Sequence, residues 1–133
     1  MAKPELPRPT DAELAILRVL WRHGPATVRQ VRDILEQSQP TGYTTILKLL
    51  QIMAGKGLVV RDESERTHIY RPSRSEAQTQ RQLIGDLLRR AFGGSASKLV
   101  MQALATRKAS AEELAEIRKL IENLERERGG GDS

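Results

Sequence analysis

Residues 41–56 read TGYTTILKLLQIMAGK. Ile46, Leu49, Leu50 and Met53 recur at the spacing of an amphipathic helix, so one side of this segment belongs to a core. The other side is unusual. At about 100° per residue, Thr44, Lys48, Gln51 and Gly55 fall within a narrow arc opposite the apolar stripe, with Thr45 beside it. Hydroxyls suit phosphates or base edges, a threonine methyl suits thymine, an ammonium suits phosphate or guanine, and an amide suits adenine. Gly42 and the short side chains behind it let the start of the helix come close to a sugar-phosphate chain, whose anionic oxygens are drawn to free backbone amides. On an isolated helix the same residues would read as caps and solvated surface. The neighbouring segments decide between the two readings.

Ser or Thr followed three residues later by Glu or Gln, the pattern in which side chains satisfy the orphan amides of a helix start, occurs at Thr10/Glu13, Thr27/Gln30, Ser75/Gln78 and Ser110/Glu113. The first opens a helix over 11–23, with Leu14, Leu17, Leu20 and Trp21 facing inward, which Gly24-Pro25 stops. The second opens a helix over 28–37, carrying Val28, Val31, Ile34 and Leu35, before SQPTG breaks the chain. The opening stretch is then the third helix, ended by Gly55 and Gly57. Residues 58–72, LVVRDESERTHIYRP, are two runs of β-formers around a charged turn and predict a hairpin. Three helices and a hairpin in this order form a winged helix-turn-helix, in which the third helix enters the DNA major groove and the wing lies on the backbone.

That context turns the polar edge of helix 3 into a candidate reading face: Gly42, Tyr43, Thr44, Thr45, Lys48 and Gln51. On the wing, Arg61, Arg66, His68 and Arg71 either neutralise phosphates or protect an exposed strand edge by charge; both remain open. Tyr43 suits stacking on a sugar or packing over the preceding turn equally well. His23 ends helix 1, where a partial positive charge is favourable, and reads as structural.

After Pro72 the pattern is helical again. Leu83, Ile84, Leu87 and Leu88 share a stripe, Gly93-Gly94 interrupts, Leu99, Val100, Ala103 and Leu104 mark a shorter helix, and Leu114, Ile117, Ile121 and Leu124 run along a last helix over about 111–128. The apolar faces exceed what three short helices can cover, so pairing with a second copy is the economical solution, with Leu83, Leu87, Leu88, Leu99, Leu114, Ile117, Ile121 and Leu124 as its candidate seam. The last seam also suits an intrachain core. The expected organisation is a winged-helix DNA-binding domain over 1–73, a three-helix dimerisation domain over 74–128 and a disordered tail over 129–133, in a mainly α fold with one small β-hairpin.

Composition is consistent with this. The chain has 133 residues, 38% apolar content, one Phe, two Tyr and one Trp, a thin core for a monomer. A net charge of +5 permits an anionic partner such as nucleic acid. With no cysteine, disulfides, thiolate metal sites and a Cys nucleophile are excluded. No apolar run approaches the roughly 20 residues of a membrane span, and MAKPELPRPT lacks a signal-peptide core, so a cytoplasmic protein is expected. His23 and His68 have no second ligand or carboxylate at motif spacing; no catalytic residue, metal or cofactor is expected.

These residues resemble the BlaI/MecI/CopY family of bacterial penicillinase-type repressors over nearly the whole chain. The likeness rests on AELAILRVLW in helix 1, TVRQV in helix 2, YTTILKLLQIMAGKGLV from helix 3 into the wing, and THIYRP closing it. It implies a homodimer that binds a dyad-symmetric operator through helix 3 and the wing and blocks transcription. It also implies relief by proteolysis, with a membrane-bound sensor metallopeptidase as a further partner. In members controlling β-lactamase genes the cut falls at an Asn-Phe bond. Aligned from Leu99-Val100, that bond corresponds here to Gln102-Ala103, and neither residue matches. The cysteine cluster of the copper-responsive branch has no counterpart. Ile52 stands where many members carry Arg. A winged-helix protein-interaction module without DNA binding is the alternative; it predicts an apolar exposed face where this chain places Thr, Lys and Gln.

Overall fold

The computed structural model describes residues 7–131, in the order α1 (Asp11–His23), α2 (Val28–Leu35), α3 (Tyr43–Lys56), β1 (Val59–Asp62), β2 (Ile69–Pro72), α4 (Glu76–Ala91), α5 (Ala96–Thr106) and α6 (Ala111–Gly131). Local chemistry accounts for most of the boundaries. The Thr10 amide donates to Glu13 Oε1 at 2.9 Å and the Glu13 amide to Thr10 Oγ1 at 3.2 Å; Thr27/Gln30 and Ser75/Gln78 make the same reciprocal pair at 2.9 and 3.2 Å and at 2.9 and 3.1 Å. Ser110 accepts from the Glu113 amide at 3.0 Å. α3 ends on Gly57, whose φ of 83° is left-handed, so that the Leu58 amide reaches back to the Met53 carbonyl at 2.9 Å. Gly93 and Gly94, with φ of 56° and 82°, make the equivalent stop between α4 and α5.

The first compact unit runs through Asp86. Its core is one cluster drawn from α1 (Ile16, Leu17, Leu20), α2 (Val31, Leu35), α3 (Ile46, Leu50, Met53) and the start of β1, closed by Tyr70 from β2. β1 and β2 are antiparallel, with Val59 opposite Pro72 and Arg61 opposite Tyr70. The segment between α1 and α2 adds a bridge that the sequence reading missed. Ala26 donates to the Tyr70 carbonyl at 3.0 Å and accepts from the Tyr70 amide at 2.8 Å. The free edge of β2 is thereby paired, and the wing is fastened to the loop ahead of α2.

Several boundaries differ from expectation. Ile16 and Val19 are buried in α1, while Leu14 and Trp21 are only partly so. α2 stops at Leu35, two residues short of the expected end, because tighter turns follow: the Gln37 amide bonds Ile34 O and the Ser38 amide bonds Leu35 O. The first unit also extends past residue 73 into α4. Trp21 Nε1 donates to the Arg74 carbonyl at 3.0 Å, Thr79 is buried, and Arg8 pairs with Asp86 at 2.5 Å. α6 continues through Gly131, so residues 129–131 of the expected tail are helical; glycine has a poor helix propensity but no steric bar to continuing an established ladder. Residues 132 and 133 lie outside the described residues.

The second unit, from Leu87, contains the end of α4 with α5 and α6. Ser95 caps α5, accepting from the Lys98 amide at 3.2 Å. Among its described residues no side chain is buried, although the helices carry regular apolar stripes. No described helix is long and apolar enough to cross a membrane.

Candidate nucleic-acid interface

α3 buries Ile46, Leu50 and Met53 and leaves Tyr43, Thr44, Thr45, Lys48 and Gln51 exposed, so the polar edge expected from the sequence faces solvent. Ile52, at 42% exposed, flanks it on the Thr45 side. The helix begins at Gly42 with no side-chain cap, and its first turn contains no acidic residue; the first turn of α2 contains none either, whereas α1 opens with Asp11 and Glu13. Gly42 has an ordinary extended φ of −72°, and a Cβ there would meet nothing within 4 Å. Nothing inside the molecule therefore requires a glycine at this position.

The far end of α3 is held by a contact that the sequence reading did not anticipate. Lys56 Nζ donates to Glu13 Oε1 at 3.1 Å and to Oε2 at 2.9 Å, across from the α1 cap. Glu13 is 1% exposed. Burial pushes its carboxyl up, but the Thr10 amide, the Lys56 ammonium and the Thr10 hydroxyl together outweigh that and hold it below its ordinary value. A capping-box glutamate thus also ties down the last turn of α3. The one available signal was a Lys in the last turn of α3, which does not identify its partner.

The basic side chains of the wing are not equivalent. Arg61 lies 2.5 Å from Glu63, and the Tyr70 hydroxyl opposite it, followed by Glu63, favours its charged form. Arg71 contributes to lowering the Asp62 carboxyl, after the larger effect of the Ser64 amide at 2.9 Å and the Ser64 hydroxyl. Arg66 and His68 are exposed and form no ion pair among the described residues. Two grooves open between α3 and the wing: one brings Tyr43 together with Arg66 and His68, the other Gln51 with Arg61. Thr44, Thr45 and Lys48 stand exposed outside both, and Arg71 lines neither. Arg29 of α2 lines the first groove and was missed by the sequence reading, which treated α2 only as a packing helix.

Of the candidate seam, Leu87, Leu114, Ile121 and Leu124 are 40–53% exposed, while Leu83, Leu88, Leu99 and Ile117 are partly covered. Met101 at 67% and Leu120 at 57% are more exposed than any of these and were not singled out. Met101 sits on the flank of α5 away from Leu99, a two-residue offset that helical periodicity alone could have revealed. Gln102 and Ala103 lie inside α5, where the Gln102 carbonyl accepts the Thr106 hydroxyl at 2.6 Å. Among the described residues no three of His, Asp and Glu are grouped to hold a metal ion.

The family model described as penicillinase repressor matches residues 9–123. The chain belongs to the penicillinase repressor family. That family is one of transcriptional repressors, not enzymes. Transcriptional regulator BlaI of Mycobacterium tuberculosis is 33% identical to this family member over 94% of its chain and 89% of the relative. The penicillinase repressor of Bacillus licheniformis is 25% identical over 89% and 92% respectively. The crystal structure of the transcriptional regulator Tm0710 of Thermotoga maritima superposes with a TM-score of 0.50 over 90% of this repressor-family chain and 79% of the other, at 16% identity, a likeness of fold alone.

Proposed function

We propose that this member of the penicillinase repressor family is a homodimeric, sequence-specific DNA-binding repressor of transcription. The observation that carries this reading is the edge of α3: five exposed polar or amphipathic side chains, Tyr43, Thr44, Thr45, Lys48 and Gln51, follow an N-cap glycine that the fold itself does not need. In a major groove Lys48 and Gln51 read base edges, Thr44 and Thr45 contact bases or phosphates, and the wing supplies Arg66 and His68 to the backbone. Two copies joined through the second unit set two reading helices about 10 base pairs apart, or a multiple of that, on a dyad-symmetric operator.

Pairing is supported by the second unit, where among the described residues Leu87, Leu120, Ile121 and Leu124 stay exposed on the apolar stripes. Relief by a sensor metallopeptidase cutting at Gln102-Ala103 would require α5 to open first, since proteases take extended substrate and this bond sits within hydrogen-bonded helix. The test of the central reading is a gel shift with the full-length protein on the region upstream of its own gene and on random duplex. Lys48→Ala and Gln51→Ala should narrow the preference for the cognate fragment at least tenfold, about 1.4 kcal/mol, within the range of one good base contact. An equal loss on both duplexes would rule out base reading by this edge.

A further inference from the structure

Two guanidinium groups and an imidazole, from α2 and from the wing, line one groove that no acidic side chain lines. Arg29 lines it from the first turn of α2, Arg66 and His68 from the wing, and Tyr43 and Leu47 of α3 and Tyr70 of β2 complete the lining. None of the three forms an ion pair among the described residues. Three arginines of the same unit are engaged, Arg61 by Glu63, Arg32 by Asp33 and Glu36, Arg8 by Asp86, and others without an ion pair, such as Arg18 and Arg22 of α1, lie outside this groove. Gathering unneutralised guanidinium groups in a cleft concentrates positive potential there, which an outside anion relieves.

We infer that this groove grips one phosphate group of the duplex backbone, with Arg29 on one side and Arg66 and His68 on the other. The inference rests on the DNA-binding reading above. A guanidinium fork suits phosphate oxygens, and the imidazole and the Tyr43 hydroxyl supply further donors. A free phosphorylated small molecule offers the same chemistry, but the groove shares Tyr43 with the reading edge of α3, so a backbone beside that edge passes its mouth. The phosphate then ties α2 to the wing, and Arg29 becomes a positioning contact that sets how deeply α3 seats while reading no base itself.

The experiment is a salt titration of binding to a random-sequence duplex by fluorescence anisotropy, with the full-length protein. Arg29→Ala and Arg66→Ala should each lower the slope of log K against log salt by about one, and should weaken cognate and random duplex by the same factor. Combined, they should cost less than the product of their separate fold-losses, because both serve one phosphate. Arg18→Ala, the same charge change on an exposed residue of α1 outside this groove, should leave the slope unchanged. An unaltered slope in Arg29→Ala, an equal loss in Arg18→Ala, or strictly multiplicative losses would each overturn the shared site while leaving DNA binding intact. Calorimetry with inorganic pyrophosphate separates the sources: binding that Arg29→Ala abolishes, with duplex affinity untouched, would assign the groove to a small ligand and overturn the backbone clamp. A full-length protein that binds no duplex at low salt would bring down the DNA reading itself and the clamp with it.

Discussion

Gly42 is an exception within this chain. Thr10, Thr27, Ser75, Ser95 and Ser110 each place a hydroxyl over the amide three residues on, and α3 alone of the helices with such a cap position described begins with no side-chain acceptor. Gly42→Ser should therefore stabilise α3 by a few tenths of a kcal/mol, seen as a small rise in Tm, while lowering duplex affinity because the hydroxyl occupies an amide that a phosphate would use. Undiminished binding would show that the bare N-terminus has no role. Glu13 makes the opposite case, a residue whose value lies within the fold. Its carboxyl is held below the ordinary 4.5, so its contribution is whole above about pH 4.5 and is lost as pH falls through the folded-state value. Glu13→Gln should cost about 2 kcal/mol near neutral pH, and the loss should shrink in acid, as pH falls below the ordinary 4.5 and through the lowered folded-state value. Urea midpoints followed from neutral into acid pH check both the size and the sign.

At the scale of elements, the capping boxes and stop glycines were legible because each is a local pattern satisfied within four residues. The Thr10, Thr27 and Ser75 boxes form as read, and Gly57 and Gly93-Gly94 stop helices where expected. What escaped was non-local. The Ala26–Tyr70 bridge joins the segment between α1 and α2 to β2, the Glu13–Lys56 pair joins α1 to the end of α3, and Trp21, packed against the core as read, also donates to the Arg74 carbonyl. Arg29 escaped for the same reason: only folding brings α2 against the wing. The exposed polar edge of α3 was legible because helical periodicity alone separates it from the buried stripe. Exposure of the connecting segments also predicts a digestion order. The first tryptic cuts should follow Arg66 in the wing turn and Arg107 or Lys108 between α5 and α6, with Lys98 inside α5 cut later; mass spectrometry of early fragments decides it. Early cleavage at Lys98 would mean that α5 opens readily.

For the molecule as a whole, the two units differ in how they are held. The first closes a core around Ile16, Leu50 and Tyr70, whereas the described part of the second buries nothing and exposes Met101, Leu120, Ile121 and Leu124. A protein of this kind should show stability that rises with concentration if the second unit pairs. Ile121→Glu with Leu124→Glu should shift sedimentation from dimer to monomer, lower Tm, and weaken operator binding far more than half-site binding. A variant that sediments as the wild type would exclude this stripe from the interface.

The single tryptophan of the chain has its indole nitrogen anchored on the backbone just ahead of α4. Its emission is consequently a label-free gauge of that junction: a red shift when operator is added would mean that the entry to α4 loosens as the complex forms, and an unchanged spectrum that it travels as one piece with the helices ahead of it.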